Sequence, residues 1–336
     1  MNASELFALA VPDAELVRLE ACLRDAVVLG DEFLDEVATH LIDAGGKRLR
    51  PALTLAAASL GPGPRDWRAA SEDTLLGAVS VELVHLASLY HDDVMDEATR
   101  RRNVVSVNAR WGNLVAIVAG DFLLARSAEI AASLGTEVAG LLASTLGRLC
   151  QGQVSDVRAA YRIERTEAEY FGTIADKTAA LMSTACRIGA LTAGLPREDV
   201  DLLTSFGEAV GMVFQIRDDV LDVLATEQEL GKPPGQDLAE GIYTLPVQLA
   251  LGDPKVGPEL RELLGRPLSE REVDTARALV ASSPAIEDAS VAARGYAAEA
   301  MEAARELGDG PVPASLVRLG ANLLEDLERS TRALAS

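Results

Sequence analysis

The sequence predicts an all-α protein, on three observations. Ala and Leu dominate the 336 residues while aromatic residues supply only 4 %, a balance that favours helix over sheet. β-Branched alternation is rare, and strand-like runs such as Val115 to Val118 are too short and isolated to build a sheet. A five-residue acidic pattern occurs twice, Asp92-Asp93-Val94-Met95-Asp96 and Asp218-Asp219-Val220-Leu221-Asp222, each time inside an apolar, turn-free stretch that reads as helix. Length alone suggests two domains. Yet Pro and Gly cluster only in short connections, Gly61 to Pro64 and Gly308 to Pro313, and no low-complexity tract divides the halves, so one helical domain over residues 1–336 is expected.

Charge narrows the function. A net charge of -21 with no basic stripe excludes a nucleic-acid partner. The apolar N-terminal stretch carries Glu5 and Asp13 and lacks a basic n-region, so it is not a secretory signal, and no run approaches the length of a membrane span. Cys22, Cys150 and Cys186 are scattered through apolar helices, as expected of buried thiols in a reducing cytoplasm.

Taken in order, the first informative segment is Gly45-Gly46-Lys47-Arg48-Leu49-Arg50-Pro51. A flexible glycine pair precedes three cations, and Pro51 suits the first turn of the apolar helix that follows. Such a turn offers backbone N–H groups, Lys and Arg to a phosphate. His85 stands two helical turns before Asp92, on the side of the acidic pair, where a ligand role and a packed core histidine are both open. His91 is expected to pack structurally, and His40 carries no signal.

Within each acidic pattern the first and fifth residues lie one turn apart on one face and can present two carboxylates to a metal. Six carboxylates in apolar surroundings repel and resist desolvation unless cations neutralise them. Oxygen ligands with no cysteine nearby favour Mg2+. Arg100-Arg101-Arg102 begins one turn after Asp96, as salt-bridge partners or as a grip for a diphosphate whose other oxygens bind the metal. Weaker signals are Lys177-Thr178 in a helical run, Gln215 before the second pattern, and Lys232 in the Gly/Pro-rich loop after it.

With these residues placed, the chain resembles the trans-isoprenyl diphosphate synthases, the polyprenyl synthetase family, over nearly its whole length. The resemblance rests on the Gly45–Pro51 loop, His91 through Arg102, Ser106 to Asn113, Gly120 to Arg126, Lys177-Thr178, Gln215 to Asp222, and Gly231 to Pro246. It implies a helical bundle of the isoprenoid synthase type around a central cavity, usually homodimeric, with the acidic motifs facing each other. It also implies Asp92, Asp96 and Asp218 as the principal Mg2+ ligands, with Asp93, Asp219 and Asp222 supporting them, and about three ions per site. Lys47, Arg50, His85 and Arg102 match positions that bind isopentenyl diphosphate. Arg101, Lys177, Thr178, Gln215 and Lys232 match those around the allylic diphosphate, with Lys177 counted beside the aspartates as catalytic. Asn103 stands where the family commonly has glycine, a position a left-handed Asn can fill, and Ile242-Tyr243 stand where many members carry lysine.

The implied activity is Mg2+-dependent condensation of isopentenyl diphosphate with an allylic prenyl diphosphate to an all-trans polyprenyl diphosphate. Ala87 and Ser88, about one turn before Asp92, are both small, where related short-chain enzymes have a bulky aromatic floor. The chain therefore resembles members making products longer than twenty carbons, with geranylgeranyl or farnesyl diphosphate synthase as the alternative; Tyr90 should project elsewhere. A class I terpene cyclase would mix Asn, Ser/Thr and Glu in its second motif, and a noncatalytic subunit would have lost motif residues, whereas all six aspartates are present. Transient membrane contact would serve only product release.

Overall fold

The computed structural model describes residues 11–60, 68–226 and 233–334, and among these it is all-α apart from one two-stranded hairpin. Two compact units are defined. The first comprises Met1–Leu146, Leu181–Gly207 and Ala304–Leu316; the second comprises Gly147–Ala180, Glu208–Ala303 and Val317–Ser336.

In the first unit, helices α1 (Asp13–Val27), α2 (Glu32–Asp43) and α3 (Leu49–Ala58) lead to the long α4 (Glu72–Met95). Ser71 caps α4, its Oγ accepting from Thr74 N at 3.1 Å, and Glu72 and Asp73 favour the positive end of the helix dipole. Leu75, Ala78, Val79, Val81, Leu83, Leu86 and Tyr90 are all buried on α4, so little of its circumference faces solvent. Tyr90 points into packing, as the sequence suggested, and donates to Val37 O on α2 at 2.6 Å.

Strands β1 (Arg100–Arg101) and β2 (Val104–Val105) pair antiparallel after α4. Arg102 and Asn103 close the hairpin at φ 50° and 65°, the pair of positive values that a two-residue turn needs to match strand twist. Asn103 thus does what glycine does elsewhere, as expected. The hairpin is followed by α5 (Val107–Trp111), α6 (Asn113–Ser133) and α7 (Thr136–Ala159), whose residues from Gly147 onward belong to the second unit.

The second unit contains α8 (Glu167–Ile174), a π-helical turn at Ala175–Ala179, most of α10 (Arg197–Leu224), and the shorter α11 (Gln236–Glu240), α12 (Leu245–Gly252), α13 (Gly257–Leu263) and α14 (Glu270–Ala281). Helix α9 (Ala180–Thr192) lies almost wholly in the first unit, while α15 (Ala285–Glu306) and α16 (Pro311–Leu334) contribute to both. Tyr170, Ile216, Val220, Leu238, Tyr243, Leu260, Ala289 and Leu327 form the second unit's core. Among the described residues, no helix is long and apolar enough to cross a membrane.

The thiols depart from expectation. Only Cys186 is buried, which pushes its thiol up to about 12; Cys22 is half-buried, and Cys150 is exposed on a face of α7 it shares with Gln151 and Val154.

Candidate active site

The first acidic pattern closes α4. Asp92 is half-buried and Asp96, the C-cap, is exposed, its N–H donating to Asp92 O at 2.8 Å, so these two carboxylates share the outer face. Asp93 points the other way and is completely buried. Its Oδ1 accepts from Arg101 at 2.7 Å, and its backbone carbonyl accepts from Asn108 Nδ2 at 2.8 Å. Burial raises the Asp93 carboxyl and Arg101 opposes that rise. Asp93 Oδ2 is buried with no hydrogen-bond partner. Asp93 therefore fixes the arginine hairpin to the helix that carries Asp92.

The cationic residues of this unit gather around His85. Burial, then Arg50, Arg102, Arg48 and Arg101, hold its imidazole well below the usual range, so His85 is neutral. Lys47 is exposed just before α3, and Arg50 is half-buried in its first turn. Arg102 donates to Leu41 O at 3.0 Å and to Gly45 O, so much of its guanidinium is engaged with the loop it was expected to assist. His91 Nε2 donates to Ile117 O, 3.2 Å away, a structural role as foreseen.

The second pattern lies on α10. Asp218 is half-buried beside Arg217 at 2.7 Å, while Asp219 and Asp222 are buried. Asp219 Oδ2 accepts from Tyr170 OH at 2.6 Å and Oδ1 from Gln215 Nε2 at 2.7 Å. Thr178 donates to Gln215 Oε1 at 2.7 Å, so Thr178 and Gln215, both expected near an allylic diphosphate, form one relay to the acidic motif. Burial, reinforced by Asp218 and Asp156, pushes the Asp219 carboxyl up to about 7 against the pull of its two hydrogen bonds. Asp222 Oδ2 accepts from Asp237 N at 3.2 Å and its carbonyl from Gly235 N at 2.9 Å, which ties α10 to α11.

Lys177 sits in the π-helical turn, a distortion frequent at functional sites. Its Nζ pairs with Asp156 Oδ2 at 3.0 Å, and Arg165 pairs with Oδ1 at 3.2 Å. A Cβ at Gly152 would come within 2.7 Å of Lys177 N, so glycine lets α7 approach the turn. Arg165 also lines a cleft of about 480 Å3 with Cys150, Val154, Arg158 and Arg162, which contains none of the expected site residues. Asp156 and Tyr170 escaped the sequence reading because each acts across 21 to 49 positions.

Lys232 lies outside the described residues. Ala87 is fully buried, and Ser88 is half-buried with its hydroxyl donating to His85 O at 2.8 Å. Where lysine is common, Ile242 donates its N–H to Asp237 O at 2.7 Å, and the buried Tyr243 accepts from Gly265 N at 2.6 Å, so both serve structure.

The donor set is made of oxygen atoms, the set that suits Mg2+. Among the described residues no three His, Cys, Asp or Glu side chains converge tightly enough to hold an ion alone.

Residues 31–280 match the family model for polyprenyl synthetase. The nonaprenyl diphosphate synthase of Mycobacterium tuberculosis is 39 % identical over 318 residues, covering 94 % of this chain and 92 % of that protein. Heptaprenyl diphosphate synthase component 2 of Geobacillus stearothermophilus is 43 % identical over 243 residues, 72 % of this chain and 74 % of that one. A polyprenyl synthase of Caulobacter crescentus, solved with calcium and isoprenyl diphosphate, superposes with TM-score 0.87 at 30 % identity, covering 96 % and 97 % of the two chains. The chain belongs to the polyprenyl synthetase family. It is a prenyltransferase of the prenyl diphosphate synthase class.

Proposed function

We propose that this chain is an Mg2+-dependent all-trans polyprenyl diphosphate synthase whose product exceeds twenty carbons. The observation that carries it is the pairing of two complete aspartate motifs with two separate sets of cations, Lys47, Arg50 and Arg102 in one unit and Lys177 in the other. The small Ala87 and Ser88 and the nonaprenyl and heptaprenyl relatives support the product length. The whole chain acts as one synthase domain.

In this reading Asp92, Asp96 and Asp218 hold Mg2+, with Asp93, Asp219 and Asp222 in support. When bound, the ions neutralise the diphosphate that leaves the allylic substrate. Lys177, set by Asp156, and the Thr178–Gln215 pair position that diphosphate, with Arg101 and Lys232. Lys47, Arg50, His85 and Arg102 bind isopentenyl diphosphate. The allylic C–O bond breaks with its electron pair leaving on the diphosphate, the terminal alkene carbon of isopentenyl diphosphate bonds to the allylic carbon, and the released diphosphate takes the proton. No side-chain nucleophile is required, and apolar residues exclude water that would quench the cation.

Two partner readings follow. A homodimer is supported by Leu114, Ile117 and Val118, exposed on one face of α6 at 76, 42 and 54 %. Action beside a second, different subunit is supported by the relative named component 2. Incubating the purified chain alone with labelled isopentenyl diphosphate, a farnesyl or geranylgeranyl diphosphate primer and Mg2+ tests the proposal. Chains beyond twenty carbons are expected. Termination at fifteen or twenty overturns the product length, and no incorporation without an added subunit overturns the self-sufficient enzyme.

A further inference from the structure

We propose that Glu82 and Arg48 are a positioning pair that fixes the Gly45–Pro51 loop in its isopentenyl diphosphate-binding form. The inference rests on the reading of Lys47 and Arg50 given above, since neither member of the pair presents donors to the substrate itself.

Arg48 is the N-cap of α3 at φ 50° and ψ 34°, a left-handed conformation that residues other than glycine adopt rarely. Its side chain is the reason it stays there. The side chain is 5 % exposed and each guanidinium nitrogen has a protein acceptor. Nε and Nη2 donate to the two oxygens of Glu20 at 2.6 and 3.0 Å, Nη2 donates to Ile42 O at 3.0 Å, and Nη1 donates to Glu82 Oε1 at 3.0 Å. A left-handed residue between Gly46 and Leu49 reverses the chain, leaving Lys47 ahead of α3 and Arg50 in its first turn.

Glu82 sits on α4 about one turn before His85, its side chain 1 % exposed. The same Oε1 that accepts from Arg48 faces Arg102 Nη2 at 4.0 Å. Arg102 in turn holds the carbonyls of Leu41 and Gly45, and a Cβ on Gly46 would meet its Cζ at 2.8 Å. One carboxylate therefore anchors both guanidiniums that frame the glycine pair. A buried carboxylate requires such partners, and losing it would leave Arg48 to Glu20 and remove the carboxylate that Arg102 faces.

Charge and geometry make opposite demands on Glu82, which supplies the test. A negative charge beside a diphosphate site opposes ligand binding, so an electrostatic role alone predicts tighter binding once it is neutralised. Positioning predicts the reverse. Isopentenyl diphosphate is titrated calorimetrically into wild type, Glu82→Gln and Glu82→Asp without allylic substrate, alongside KM for both substrates.

Glu82→Gln should weaken isopentenyl diphosphate binding by about tenfold or more and raise its KM in parallel, with the allylic KM within about twofold of wild type. Glu82→Asp, which keeps the charge but withdraws it by one methylene, should also weaken binding. Unchanged or tighter binding in Glu82→Gln overturns the proposal, as does equal loss for both substrates. If thermal melts show that Glu82→Gln does not fold, Arg48→Gln carries the same expectation from the other end of the pair. A wild type that fails to bind isopentenyl diphosphate overturns the functional reading instead.

Discussion

The two acidic motifs spell nearly the same five residues but hold their second carboxylate in opposite ways. Asp93 is buried against a guanidinium, Arg101, at 2.7 Å. Asp219 is buried just as deeply with neutral donors only, Tyr170 and Gln215, at 2.6 and 2.7 Å. The second carboxylate of the first motif thus has a guanidinium as counter-charge, and that of the second motif is met by neutral donors. Sequence identity in a motif does not fix its electrostatics; the residues that reach it from elsewhere in the fold do.

The largest expected effect concerns the metal proposed for both motifs. Chelation of Mg2+ should abolish chain elongation and readdition should restore it, measured as isotope incorporation; activity that persists in excess chelator would remove metal from both motifs.

Next is the stability contrast. Asp93→Asn breaks a buried ion pair and should cost about 2–3 kcal/mol by urea unfolding, below the full cost of an uncompensated buried charge because Arg101 keeps some solvent contact. Asp219→Asn should leave the metal-free protein at pH 6 as stable as wild type or more so, because at that pH the unfolded chain ionises this carboxyl while the folded protein keeps it mostly protonated. Equal losses would erase the distinction between the motifs.

The pH dependence sharpens the same point. Asp219 has its folded-state value raised from the ordinary 3.8 to about 7, so in this interval the folded protein binds more protons than the unfolded chain. Its contribution to metal-free stability is therefore complete below about pH 4 and is lost as pH rises through about 7. Melting curves should show Asp219→Asn flattening that fall; an identical slope in the variant would mean another group titrates.

Subtler effects divide the substrates. Lys47→Ala should raise KM chiefly for isopentenyl diphosphate and Lys177→Ala chiefly for the allylic diphosphate, each by about tenfold, read from initial rates with one substrate saturating. Ala87→Phe should leave these constants nearly intact and shorten the product, read by mass spectrometry. Because Ala87 is fully buried, an active variant with unchanged chain length would show that the tail runs past another helix.

Much of this was legible in the chain. Helix content followed from Ala and Leu with few aromatics, and the acidic and basic motifs announced themselves through local spacing. Sequence could not reveal what those groups touch. Asp156 reaches Lys177 and Tyr170 reaches Asp219 only after helices pack, and no periodicity marks either residue. The π-helical turn at Lys177 was hidden inside an ordinary helical run, since packing against Gly152 rather than local propensity accompanies it. Spacing left Arg101 open as a salt-bridge partner or a diphosphate grip, and in the fold it pairs with Asp93. Cys150 looked buried because its neighbours are apolar, while the helix turns that face outward.

The central claim is that both acidic motifs are needed for one and the same step, and a double-mutant cycle tests it most directly. Single-turnover rates would be measured for Asp92→Ala, Asp218→Ala and the double variant, each verified as folded. The account predicts that each single change costs about 10^3-fold or more, and that the double change costs little beyond the worse single one, because either loss already disables the shared step. Near wild-type turnover in either single variant, or losses that multiply in the double one, would contradict it.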